Sequence, residues 1–218
     1  MKRKFNNIFI IGSPWHAYLA KLFFGENDKY IIEYSSKKSL KSIKNSIQNK
    51  ENILKEVNVE PLYFRNIFPL RNFFSIKVKF SQLQKFFSAL EVKNIYYFNT
   101  ESFLSLLIRS FNKNHLAIKI EDGVCDYLPF PLLQISFFNN LIKTIVTKVL
   151  GVHHFYYPAN IRKIERGYFF FPDKQNRNYP TESLLDFKED LVRIIKNTNS
   201  SDLTILDASN SALVIGQT

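Results

Sequence analysis

Asn7–Ala20 reads NIFIIGSPWHAYLA, an apolar run that stops at Gly12 and resumes with a different period. Ile8, Phe9, Ile10 and Ile11 are consecutive and apolar, as in a strand covered on both faces. Ser13 then suits a helix N-cap, and Pro14 the first helical position. The helix would carry WHAYLAKLFF, residues 15–24. A buried strand, a glycine turn and a capped helix form one βα unit. The basic start, MKRK, followed by apolar residues also invites comparison with a signal peptide. The apolar core breaks after IFII, however, which is too short for such a leader or for a membrane span. The expectation is a cytoplasmic protein, with peripheral contact at the inner face of the cytoplasmic membrane open to its basic surface.

The same alternation recurs along the chain. Strands are expected at Tyr30–Tyr34, Pro61–Phe64, Asn94–Phe98, Leu116–Ile120 and Ala212–Gly216. Helices are expected at Lys37–Asn49, Ile76–Leu90, Glu101–Ser110, Pro131–Leu150 and Thr181–Asn197. HHFYYP (153–158) and GYFFFP (167–172) read as short strands or extended loops. Strands alternating with helices predict an α/β fold, a Rossmann-like, mostly parallel sheet flanked by helices. KNTNSSD, 196–202, is the best linker candidate. Residues 1–200 are therefore read as one Rossmann-like domain, and 201–218 as a linker with the first strand of a second one. The other reading of ALVIG, 212–216, is an edge or returning strand of the first sheet.

Composition bounds the function classes. An apolar fraction of 45% with 16% aromatics excludes a disordered chain. The net charge of +11 suits nucleic acid, an anionic membrane or an anionic substrate, and equally a codon bias toward Lys, Asn, Ile and Phe. Cys125 is the sole cysteine, so neither a disulfide framework nor a thiolate zinc site forms within one chain. It reads as a small buried hydrophobe. His153 and His154 are adjacent but lack an evident third metal ligand. FFSIKVKF (73–80) and RGYFFFPDK (166–174) mix aromatics with cations, as single-strand nucleic-acid binders do, though core alternation explains them as well.

Open α/β sheets bind ligands beyond the carboxyl ends of their strands. Two loops there carry useful chemistry. One is Gly12, Ser13, Pro14, Trp15 and His16 after the first strand. The other is Glu121, Asp122 and Gly123 after LAIKI. Adjacent carboxylates followed by glycine make a tight acidic corner. Glycine permits positive φ and close approach of a ligand. A carboxylate there is either a solvated turn residue or a general base. Tyr127 follows the corner and suits packing beneath it.

IEDGVCDY (120–127) after a strand, with IFIIGSPWHAYLA (8–20) at the start, resembles bacterial sialyltransferases of the polysialyltransferase and lipooligosaccharide sialyltransferase type. The resemblance implies a GT-B fold of two facing Rossmann-like domains, of which this chain supplies the N-terminal, acceptor-binding one. It implies inverting transfer of sialic acid from CMP-sialic acid to a cell-surface glycan, lipooligosaccharide or capsule, without a metal or other cofactor. Glu121 is the first choice for the base and Asp122 the second. Gly123, Gly12, Ser13, Pro14, Trp15 and His16 become substrate-binding candidates. The family's His-Pro pair, which meets the CMP phosphate, has no counterpart among His16, His115, His153 and His154. The expectation is an acceptor-side portion of a longer enzyme, inactive alone. Nucleic-acid binding and a non-catalytic interaction module are the competing readings.

Overall fold

The computed structural model describes residues 3–60, 73–100, 102–111, 114–123, 126, 163–174 and 178–196. Among them run β1 (Arg3–Ile11), α1 (Pro14–Ala20), β2 (Lys29–Tyr34), α2 (Lys37–Ser46) and β3 (Ile53–Asn58). They are followed by α3 (Phe73–Ser88), β4 (Leu90–Tyr97), α4 (Phe103–Phe111) and β5 (Leu116–Ile120). β6 (Arg166–Phe169), β7 (Thr181–Ser183) and α5 (Lys188–Lys196) complete the set. The strands form one seven-stranded sheet in the order β3-β2-β1-β4-β5-β6-β7. Every neighbouring pair is parallel. The expected α/β, Rossmann-like architecture is the one observed.

Alternation along β1 shows why its sequence is apolar throughout. Ile8 and Ile10 enter the core on one face, while Phe9 and Ile11 enter the core on the other. The first face is covered by α3 and α4 through Phe80, Leu83, Phe87, Leu104, Leu107 and Ile108. The second is covered by α1, α2 and α5 through Ala17, Leu19, Ile43 and Leu191. The Phe9 and Tyr96 rings stack at 4.5 Å between centroids. Asp28 is buried near the start of β2 and accepts from the Asn7 backbone N–H at 3.0 Å, Asn7 Nδ2 at 2.8 Å and the Gly25 N–H at 2.8 Å. Three donors satisfy a carboxylate that burial would otherwise disfavour.

The topology also fixes where a ligand can sit. From β1 the chain steps outward through β2 to β3, then crosses back to lay β4 on the other side of β1. Loops leaving β1 and β4 therefore diverge to opposite faces, opening a crevice at their carboxyl ends. β5, which ends in the acidic corner, is the next strand over.

Several elements differ from the sequence expectation. The third strand is Ile53–Asn58, while Pro61–Phe64 lies outside the described residues. β3 is an edge strand and its residues are mostly half-buried or exposed, so it lacks the continuous apolar run of a central parallel strand. The helix expected from Thr181 begins instead at Lys188. Thr181–Ser183 joins the sheet beside β6, and a 3-10 turn at Leu184–Phe187 separates it from α5. The Gly167 N–H donates to Pro180 O at 2.9 Å, so pairing with β6 overrides the local helical pattern. β1 and β4 begin earlier than expected, at Arg3 and Leu90, and GYFFFP supplies β6. The segments 131–150, 153–158, 197–202 and 212–216 lie outside the described residues, as do Cys125 and Tyr127.

Gly167 marks the tightest point of the β6–β7 edge. A Cβ there would lie 2.4 Å from a ring carbon of Phe169 and 2.9 Å from one of Tyr179. Phe169 is fully buried, so its ring must shift within the core to make room. Gly167→Ala should therefore destabilise the fold by about 1–3 kcal/mol, as overpacking does, measured by urea unfolding. A change within 0.5 kcal/mol, the rough scale of an inert surface substitution, would mean that the edge yields freely.

Candidate functional site

The site begins where β1 ends. Gly12 leads into Ser13, whose backbone is extended (φ −147°) and whose Oγ accepts the His16 N–H at 3.2 Å. Pro14 occupies the start of α1 as expected. This cap fixes the first helical turn, and with it the position of His16. Trp15 is half-buried and packs against the apolar core beneath α1. His16 is only 6% exposed, its ring stacked on Phe98 at 4.6 Å and 8°. Phe98 directly follows β4, so this stack bridges the crevice between β1 and β4.

The acidic corner lies beyond β5. Ile118 and Ile120 pack on the α1 face of the sheet, whereas Ala117 packs on the opposite face. Successive strand side chains alternate, so the two carboxylates find different partners. Glu121 is 6% exposed, and its carboxylate accepts the Phe170 N–H at 2.7 Å. Its own N–H donates to Tyr168 O at 3.0 Å, continuing the β5–β6 ladder by one residue. Asp122 turns toward α1, and its Oδ1 meets His16 Nε2. Its side chain keeps 27% of its exposure. Gly123 takes φ +114°, a conformation L side chains rarely adopt, and a Cβ there would meet nothing within 4 Å. Backbone geometry, not crowding, therefore demands glycine at this turn.

A buried ion pair holds the corner in shape. Lys119 is 3% exposed, and its Nζ lies 2.9 Å from Asp126 Oδ2 while also donating to Phe98 O. The same Asp126 oxygen accepts the Asp122 N–H at 2.6 Å. The Asp126 N–H donates to Gly123 O at 3.0 Å, closing the turn. One ammonium thus ties the end of β4 to the turn after β5.

Electrostatics tune the carboxylates apart. Burial pulls Asp122 upward, but its contact with His16 and the charge of Lys119 outweigh it, so its pKa is lowered. Asp122 is ionised at neutral pH. Glu33, near the end of β2, is pushed the other way. Burial raises it more than the hydrogen bonds from Ser102 and the Leu104 N–H lower it. Ser102 Oγ donates to Glu33 Oε2 at 2.6 Å.

Of the residues expected from sequence, the structure brings together Gly12, His16, Asp122 and Gly123. Ser13 and Pro14 are engaged in starting α1, Trp15 in the core, and Glu121 in the β5–β6 edge. Lys119, Asp126 and Phe98 belong to the site and were not anticipated. A lysine inside the apolar strand LAIKI, with an acid shortly after the corner, was the available signal. Among the described residues no group of three His, Cys, Asp or Glu could hold a metal ion. Among the same residues no helix is long and apolar enough to cross a membrane.

A parallel Rossmann-like sheet with an acidic corner beside its topological switch point defines an α/β protein with a ligand crevice at the carboxyl edge of its sheet. A family model described as alpha-2,8-polysialyltransferase (POLYST) matches residues 7–218, and the chain belongs to that family. No curated protein and no solved structure matches the chain. Membership makes it a glycosyltransferase of the sialyltransferase class, whose reaction transfers a sugar from a nucleotide-sugar donor to a glycan acceptor.

Two outcomes follow from this geometry. Lys119→Met should destabilise by up to about 3–5 kcal/mol, because the largely buried Asp126 loses its counter-ion. Adding Asp126→Asn, which retains an acceptor for the Asp122 N–H, should recover part of that loss in chemical unfolding. An additive double variant would deny the coupling. The acid limb of stability supplies the second test. A lowered native pKa means that the unfolded chain binds the extra proton first. Asp122 therefore contributes fully above its ordinary value of 3.8 and loses that contribution as pH falls through its native value. The stability gap between wild type and Asp122→Asn should narrow on acidification below about pH 5. A gap independent of pH would contradict the lowered pKa.

Proposed function

We propose that this chain supplies the acceptor side of an inverting sialyl transfer from CMP-sialic acid to a hydroxyl of a cell-surface glycan, lipooligosaccharide or capsule. The acceptor oxygen attacks the anomeric carbon of sialic acid. The bond from that carbon to the CMP phosphate oxygen breaks, the electron pair leaves with CMP, and the acceptor proton passes to a carboxylate of the corner. The transition state has oxocarbenium character, as at other glycosyl centres. The scheme calls on no metal or other cofactor. The net charge of +11 suits an anionic glycan or glycolipid and work against an anionic membrane surface.

The observation that carries the choice of base is the divergence of the two carboxylates. Glu121 was the first choice from sequence, but it is buried and engaged by the Phe170 N–H. Asp122 is ionised, keeps solvent access, and is oriented by His16. We therefore assign the proton acceptor to Asp122 and give Glu121 the task of holding the β5–β6 edge. A base must reach the proton it removes, and geometry takes precedence over basicity.

Transfer from CMP-sialic acid to an α-2,8-linked sialic acid oligomer, assayed in the enzyme that carries this chain, tests the assignment. Asp122→Asn should lower kcat by about 100-fold or more with folding intact, the scale of a lost general base. Glu121→Gln should act mainly through stability, with kcat within about tenfold of wild type in the folded fraction, far short of that general-base loss. The reverse pattern, with folded Glu121→Gln inactive and Asp122→Asn active, would transfer the role to Glu121. Activity retained in both would remove the corner from the chemistry.

A further inference from the structure

His16 is fixed on every side that matters for its proton. Its Nδ1 lies 3.0 Å from the Gly12 N–H. A backbone amide can only donate, so Nδ1 must present its lone pair. The ring proton of the neutral imidazole then sits on Nε2, which faces Asp122 Oδ1. An ionised carboxylate can only accept, so both contacts call for the same tautomer. The ring stacks on Phe98, and the residue's backbone N–H is held by Ser13 Oγ.

We propose that His16 is a positioning residue, held as the Nε2–H tautomer by the Gly12 amide, which donates to Asp122 and aims that carboxylate at the acceptor hydroxyl. The proposal rests on Asp122 as the base. A relay through the ring would need a proton receiver at Nδ1. The only group there among the described contacts is an amide N–H, and a second ring proton would set two donors against each other at 3.0 Å. His16 is thus a fixed donor and not a proton carrier. The titratable groups around Asp122 are His16 from α1, Lys119 from β5 and Asp126 from the turn.

Three substitutions separate the contacts. His16→Gln sets an amide near Nε2 and can still donate to Asp122. His16→Asn sets an amide oxygen near Nδ1 and can keep the Gly12 contact alone. His16→Phe keeps only the stack on Phe98. In the enzyme that carries this chain, His16→Gln should retain kcat within about tenfold. His16→Asn and His16→Phe should lose up to about 100-fold in kcat with little change in acceptor KM, as a misaimed catalytic group does. In His16→Phe the acid limb of the pH–rate profile should move to higher pH, since Asp122 loses the hydrogen bond that lowers its pKa. Equal kcat in His16→Gln and His16→Asn, or an unmoved acid limb, would overturn the proposal. A second readout is independent of turnover. Long-range proton–nitrogen NMR of the histidine-labelled chain, with His16 assigned by its loss in His16→Asn, should give Nε2–H at neutral pH. An Nδ1–H tautomer would overturn the proposal even if transfer were normal. Normal transfer by Asp122→Asn with the Nε2–H tautomer present would count against Asp122 as the base and leave the tautomer assignment standing.

Discussion

The buried ammonium of Lys119 is the contact on which the site's shape depends. It reaches the carbonyl of Phe98 and the carboxylate of Asp126 together. Phe98 is the surface on which His16 stacks, and Asp126 receives the backbone N–H of Asp122. A cation inside a parallel sheet is costly unless its partners are in place. Its three neighbours therefore hold one another: the end of β4, the turn after β5 and, through the stack, the start of α1. An isolated acidic turn would be mobile. This one is strapped to the switch point of the sheet.

The adjacent acids of the corner differ because strand alternation sends them to different neighbours. Glu121 extends the β5–β6 ladder and accepts the Phe170 N–H. Asp122 meets His16 and keeps access to solvent. Glu33, on β2 at the same carboxyl edge, sits beside the N-terminal turn of α4, where burial raises its pKa while Asp122 is lowered. Carboxylates tuned in opposite directions within one edge of a sheet are how a fold separates structural acids from reactive ones.

Much of this was legible in the residues. β1, β2 and β5 announce themselves as apolar runs because parallel strands are covered on both faces, and Ser13-Pro14 announces the start of α1. The acidic corner and the need for glycine at 123 were equally readable. β3 was not, because an edge strand shows one half-exposed face, and β7 was not, because its pairing with β6 is a long-range contact that outweighs a local helical pattern. The His16–Asp122 pair spans 106 residues of chain and has no local signature. For the same reason sequence favoured Glu121 over Asp122. Spacing identifies a pair of carboxylates, but only burial and partners distinguish them.

The central claim is that acceptor chemistry is centred on the corner formed by Gly12, His16 and Asp122. The most direct test is a titration of an α-2,8-linked sialic acid oligomer into the nitrogen-labelled chain, followed by amide NMR. The account predicts saturable shifts concentrated at Gly12, Asp122 and Gly123, and their loss in Lys119→Met/Asp126→Asn, where the corner is no longer strapped to β4. Saturable binding that leaves those amides unmoved and perturbs another surface would contradict it.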